Sequence, residues 1–369
     1  MRDVMAGYIA RGEVSNVVAL VSRRGDLSVD TFGAERDAIF RITSMTKPVV
    51  AVAALILVEE GVIGLDDPVE KWLPELSNRR VLKAVNAPLG ETVPAQRSVT
   101  LRDLMTFRMG IGLVFDPSGI IPIQEAMSKL QVGYGPPDPA VTPEPNEWMK
   151  RLGTLPLMCQ PGERWLYNTA FDVLGVLVAR VSGRSLETFL QQRIFEPLGM
   201  KDTAFSVPAA RLSRLTPCQY FDSESGKFET ADPVGAASAW SQPPKFESGG
   251  AGLVSTADDY LAFALMLLNG GEHGGHRLLS RLSVEGMTMD HLTPAQKALS
   301  GLFPGQFDHL GFGFGVAIEE TGRYGWDGGF GTSWRNDPAR GVVGILMTSR
   351  TWDSPVPPPI CQDFWSLSD

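Results

Sequence analysis

The chain has 369 residues, enough at roughly 150 residues per domain for two domains and for a core that needs no disulfide or metal staple. An apolar fraction of 43% against 20% charged excludes wholesale disorder. The formal net charge of −9 argues against a nucleic-acid-binding surface. Three cysteines with no CxxC spacing argue against a disulfide framework or a thiolate zinc site.

In chain order, Met1–Val14 mixes charged and apolar residues and lacks the uninterrupted apolar stretch of a secretory signal. The longest apolar run, Pro48–Val58, has 11 residues, about half of the roughly 20 that span a membrane. A soluble, cytoplasmic protein without a membrane partner is expected. Val17–Ser22 and Leu27–Phe32 flank Arg23-Arg24-Gly25-Asp26 and predict a hairpin. The segment from Thr43 to Pro48 opens a buried helix that ends at Gly61, with Thr43 as its cap. Asp67-Pro68 predicts a short helix capped by Asp67, with Pro68 at its first position. Thr100–Asp103 reads as a capping box.

From Pro117 to Pro161 prolines cluster, notably in Gly135-Pro136-Pro137-Asp138-Pro139. This predicts an extended surface excursion that walls a binding site. Amphipathic helices are predicted over Phe171–Val181 and Leu186–Phe195, and an apolar helix over Tyr260–Leu268 that starts at Ser255–Asp258. Strand-like runs return at Phe312–Ile318, Tyr324–Trp334 and Val342–Thr348. Strands at both ends of a helical middle predict one α/β domain from 1–66 and 245–369. Residues 67–244 then form an inserted, mainly helical domain, with the active site between the two.

Several chemistries have no motif here. GxSxG, HExxH, a P-loop and GxGxxG in a strand–helix context are all absent. His273 and His276 share a Gly-rich loop with a metal-like spacing, but no third ligand accompanies them, and solvent exposure is the favoured reading. One constellation remains, Ser44-Met45-Thr46-Lys47 at the head of the buried helix. Residues i and i+3 share a helix face, so a desolvated Lys47 can take the proton of Ser44 and make it a nucleophile. A helix start also aims free N–H groups at developing negative charge. Alone, the tetrad reads more simply as a helix-start serine followed by an exposed lysine.

Ser44-Met45-Thr46-Lys47 before an apolar helix resembles the active-site motif of the serine β-lactamase and penicillin-binding-protein superfamily. Further segments resemble that family in the same order. Pro161–Thr169 is similar to its Pro-Gly…Tyr-x-Asn segment, and Phe195–Thr203 to its Pro-Leu-Gly-Met-x-Asp-Thr segment. Gly249–Asp259 matches its Gly-rich entry into a late helix, and Gly325–Trp334 its third motif. The resemblance implies a β-lactamase/transpeptidase-like fold of α/β plus all-α character, an antiparallel sheet flanked by helices with an inserted helical domain.

The resemblance also implies a mechanism. Ser44 attacks a carbonyl, Lys47 and Tyr167 share the proton, and the backbone N–H groups of Ser44 and Gly329 hold the oxyanion. Tyr167 is the preferred deacylation base, favoured by the ordered matches over its plainer reading as a core aromatic with a satisfied hydroxyl. No cofactor or metal is implied.

Two departures from the family pattern point to a branch. Trp326, in Trp326-Asp327-Gly328, stands where lactamases carry a cation, and Thr169 stands where they carry the last Asn of Tyr-x-Asn. Such Trp-containing third motifs resemble the family VIII carboxylesterases. A serine carboxylesterase acting on short-chain, small-molecule esters is therefore expected, with Trp326, Asp327, Gly328 and Thr169 at the substrate. Three alternatives remain open: a β-lactamase or D-amino-acid peptidase, if Arg323 or Arg335 replaces the cation; an acyltransferase; and a non-catalytic ligand-binding member.

Overall fold

The computed structural model describes all residues except 115–118, 120, 134, 136, 223 and 369. Pro117 and Pro136 of the proline-rich excursion thus lie outside the described residues. Seven antiparallel strands form the main sheet: β1 (Val17–Arg23), β2 (Asp26–Phe32), β3 (Leu310–Phe312), β4 (Ala317–Glu319), β5 (Tyr324–Gly328), β6 (Thr332–Asp337) and β7 (Val342–Thr348). Their spatial order is β3-β4-β5-β6-β7-β1-β2, so the first hairpin docks on the last strand, with Val17 opposite Thr348. The predicted Phe312–Ile318 run is two strands, because the chain reverses at Gly315, whose φ is +73°.

Strand periodicity sorts the core into two layers. Val17, Ala19 and Val21 of β1 pack with Met5 and Tyr8 of α1 (Arg2–Ala10) and with Ile360 and Phe364 of α5 (Pro359–Ser368). Val18 and Leu20 belong to the main core on the other side of the sheet. That core also takes in α2 (Thr46–Glu59), α3 (Thr169–Ser182) and α4 (Ala257–Leu268). Twelve consecutive residues of α2, Thr46–Leu57, are buried, which marks it as a helix enclosed on all sides. Among the described residues no helix is long and apolar enough to cross a membrane.

Local signals explain most boundaries. Thr100 and Asp103 form the predicted capping box, and Thr256 caps α4 by accepting from the Asp259 N–H. The Asp67-Pro68 signal marks only a 3-10 turn, Val69–Lys71, with Pro68 before it. Residues 186–198 run as one helix that widens to a π turn over Gln191–Phe195. Pro197 offers no N–H and crowds the preceding turn, which the wider turn relieves.

A hairpin, Cys218–Asp222 with Lys227–Asp232, is fastened to the body through charge. Arg41 and Asp232 are 2% and 5% exposed, and the Arg41 Nε donates to Asp232 Oδ2 over 2.6 Å. Arg41 also donates to the Thr216 carbonyl and to the Ser238 hydroxyl. Removing one partner leaves the other charge buried alone. Asp232→Ala is therefore expected to cost about 3–5 kcal/mol, read from the midpoint of urea unfolding. An unchanged midpoint would contradict this.

Candidate active site

Ser44 is the middle residue of a short 3-10 turn, Thr43–Met45, that runs directly into α2. Thr43 is therefore not the cap of α2: Met45 holds that position, without a side-chain bond. Thr43 has φ +38°, an uncommon conformation for a β-branched residue, and both Thr43 and Ser44 line a large cavity. The Ser44 N–H lies in the first turn, where helix donors have no intrahelical acceptor.

Lys47, one turn on, is 0% exposed. Its Nζ lies 2.8 Å from Ser44 Oγ, 2.6 Å from the Gly250 carbonyl and 3.1 Å from Asn168 Oδ1. Burial pulls its pKa down to about 7, against the opposing charge of Asp172. As an ammonium, Lys47 has three N–H donors for these three oxygens. On losing one proton it would keep two N–H bonds for the carbonyl oxygens of Gly250 and Asn168 and turn a lone pair toward Ser44.

Tyr167 sits with its ring centroid 4.6 Å from Lys47 Nζ, among Phe107, Trp165 and Trp326. One edge is open to the cavity, but the surrounding rings desolvate the hydroxyl and push its pKa up to about 12. Hydrogen bonds with Ser44 and Trp326 work in the opposite direction. Asn168 has φ +79° and ψ −74°, and the Thr169 N–H closes back on the Tyr167 carbonyl over 3.3 Å. That is a γ-turn of the rarer, strained hand. It aims the Asn168 amide at Lys47.

The other sequence-predicted residues take different places. Thr169 is 0% exposed, with its hydroxyl 3.5 Å from the Gly133 carbonyl, and does not line the cavity. Trp326 does not line it either: it is 8% exposed, and its indole N–H donates to the Tyr167 hydroxyl over 3.0 Å. Alternation along β5 sends Asp327 to the opposite face. There it pairs with Arg335 at 2.7 and 2.8 Å. Arg323 bonds Glu319, and Arg323 and Arg335 both lie over the Trp365 ring on that far face. Neither replaces the missing cation. At Gly328 a Cβ would stand 2.3 Å from the Ile42 carbonyl, so this glycine lets β5 touch the turn that bears Ser44. Gly329, next in the chain, is exposed and lines the cavity beside Ser44. None of the four residues expected at the substrate is among those that line the cavity: Trp326 donates to Tyr167, Gly328 packs on the turn that bears Ser44, Asp327 pairs with Arg335 and Thr169 is buried.

The cavity measures about 850 Å³, and its wall includes Trp148, Tyr220, Trp240, Phe246, Phe330 and Trp352. Pro137 and Pro139 of the proline-rich excursion also line it. Its charged lining residues are Asp138, Asp172 and Asp232; no lysine or arginine is among the described residues of the wall. His273 and His276 pair across a two-stranded ribbon elsewhere, and no cluster of three metal-ligating side chains occurs among the described residues.

Asn168, Gly250 and Asp172 are the residues that sequence reasoning passed over. The run Gly249–Gly252 carried a usable signal. A Cβ at Gly249 would lie 2.4 Å from the Phe171 carbonyl, so glycine there admits the close backbone approach that brings the Gly250 carbonyl to Lys47.

A serine hydroxyl at a helix head, a buried amine against it and an antiparallel sheet alongside define a serine hydrolase or acyl-transfer enzyme with the β-lactamase/transpeptidase-like fold. The chain belongs to the Beta-lactamase family, whose sequence profile matches residues 1–356. It is 38% identical over 327 residues to Protein Rv1367c of Mycobacterium tuberculosis, covering 85% of this chain and 78% of that protein. It is 29% identical over 342 residues to Esterase EstB of Burkholderia gladioli, covering 86% and 79%. Among solved structures it resembles EstCE1, described as a hydrolase with promiscuous acyltransferase activity, at a TM-score of 0.77 and 22% identity over 95% of this chain and 93% of that one.

Proposed function

We propose that the protein is a serine carboxylesterase that hydrolyses short-chain carboxylic esters through an acyl-enzyme on Ser44. The observation that carries this reading is Lys47, which is buried and 2.8 Å from Ser44 Oγ, with both remaining contacts to carbonyl-type acceptors. Ser44 Oγ bonds to the ester carbonyl carbon while its proton passes to Lys47 Nζ. The oxyanion is held by the N–H groups of Ser44 and Gly329. As the bond to the alcohol oxygen breaks, the Tyr167 hydroxyl gives that oxygen a proton and is refilled from Lys47. Water then bonds to the acyl carbon as Lys47 takes its proton, the bond from that carbon to Ser44 Oγ breaks, and Ser44 recovers the proton from Lys47 as the carboxylic acid leaves. Burial pushes the Tyr167 hydroxyl up to about 12, which favours Lys47 as the base of deacylation and Tyr167 as the carrier over the sequence preference for Tyr167.

The wall supports a neutral substrate, since a carboxylate entering it meets no cation among the described residues. Loss of a charged hydrogen bond is worth about 1.5–3 kcal/mol, or about one to two orders of magnitude in affinity. We therefore expect kcat/KM for p-nitrophenyl butyrate to exceed that for nitrocefin by at least tenfold. Faster cleavage of nitrocefin would replace the esterase reading with the lactamase one. The volume beyond a butyryl group leaves room for a bulky alcohol portion, and it favours acyl transfer to a second alcohol as the alternative. Product analysis with added alcohol separates transfer from hydrolysis.

The division into 1–66 with 245–369 and 67–244 is proposed with this reading, supported by a sheet whose strands come from both ends of the chain. So is a cytoplasmic setting, supported by three buried, unpaired cysteines.

A further inference from the structure

Asp172 has no part in the mechanism above, yet it is a carboxylate 7% exposed at the floor of the site. It lies one turn into α3, on the face that meets the loop carrying Gly250. One oxygen, Oδ1, accepts from the Ser248 hydroxyl at 2.6 Å and from the Gly250 N–H at 3.0 Å. Ser248 Oγ in turn accepts from the Ala251 N–H at 3.0 Å. The Gly250 carbonyl, on the residue so fixed, accepts from Lys47 Nζ at 2.6 Å. Gly250 is wedged: a Cβ there would stand 3.1 Å from Asp172 Oδ1 and 3.5 Å from Asn168 Oδ1.

We infer that Asp172 is the positioning residue of Lys47, holding the Gly250 carbonyl against Nζ and placing a negative charge near the amine. The inference rests on the proposed role of Lys47. Groups facing that amine come from four segments. Ser44 lies on its own helix head, Tyr167 and Asn168 precede α3, Asp172 lies on α3, and the Gly250 carbonyl comes from the loop. Tyr167 is neutral through the working range, and Asp327, which acts on Tyr167, is paired with Arg335. Asp172 is thus the one charge that acts on Lys47 among the described residues. Burial raises the Asp172 carboxyl, while Ser248, Gly250 and the Lys47 charge draw it down.

Two variants separate charge from geometry. Asp172→Asn keeps an Oδ1 acceptor for Ser248 and Gly250 and removes the charge. Asp172→Ala removes both. The readout is the rate at which a fluorophosphonate modifies Ser44, followed by intact mass and peptide mapping from pH 5 to 9. Without Asp172 the ammonium form of Lys47 loses its opposite charge, so Lys47 gives up its proton more easily. In Asp172→Asn the acid limb should move down by about one pH unit, with the alkaline plateau within about threefold of wild type. Asp172→Ala should lower the plateau by tenfold or more. An unmoved limb in Asp172→Asn, or a uniform loss at every pH, overturns the inference. Absence of a Ser44 adduct in the wild type overturns the Ser44 reading instead, so the two failures are distinguishable.

Discussion

Ser44→Ala should lower kcat for p-nitrophenyl butyrate by about 10⁴-fold or more, while the urea midpoint stays near that of the wild type. The expectation follows from the place of Ser44, partly open at the cavity floor and outside the buried run of α2. Removing a hydroxyl there opens no core cavity, so stability has little to lose. Among the described wall residues, Ser44 carries the hydroxyl that hydrogen-bonds the buried amine, and a methyl group cannot form the acyl-enzyme. Residual turnover would come from oxyanion binding alone. Activity within about tenfold of wild type would move the nucleophile elsewhere.

Lys47→Ala and Tyr167→Phe should each cost about 10²–10⁴-fold in kcat, the range of general acid–base catalysis. Their double variant should fall near the worse single one. Lys47 Nζ lies over the Tyr167 ring, and both residues hydrogen-bond Ser44; members of one proton path are strongly non-additive. Losses that multiply would place the two residues on separate paths. The same network fixes the pH response. The base is the neutral amine, and the Lys47 pKa is drawn down to about 7. Therefore kcat/KM should rise with pH through about 7 and level off above it. Tyr167, pushed up to about 12, adds no limb in the neutral range. A flat profile between pH 6 and 8 would contradict the assignment of Lys47.

Ser44 and Lys47 are visible as an i, i+3 pair before an apolar run, but that pair alone reads as a plain helix start. It is the ordered resemblance, including Pro161–Thr169, that singles out Ser44, Lys47 and Tyr167. The sheet was legible at β7, whose predicted bounds are the observed ones, and at the β1–β2 hairpin. What stayed hidden depends on tertiary geometry. Strand alternation puts Trp326 and Asp327 on opposite faces, but no residue announces which face the site occupies. The indole therefore looked like a substrate wall when it is a donor to Tyr167. Asn168 was passed over because the resemblance points to residue 169; a strained γ-turn supplies the amide from the preceding position. Asp172 lies inside the predicted helix pattern of Phe171–Val181, and its partners Ser248 and Gly250 come from a segment far along the chain. The terminal helices α1 and α5 were missed because each buries one narrow face against the sheet and each other, too few positions to register as a period.

The central claim is that Ser44 is the nucleophile. Its most direct test is the adduct formed by a fluorophosphonate at pH 8, located by peptide mapping with and without excess p-nitrophenyl butyrate. The predicted result is one adduct per chain, on Ser44, slowed by the ester and absent from Ser44→Ala. An adduct on any other residue, or equal labelling of Ser44→Ala, would contradict it.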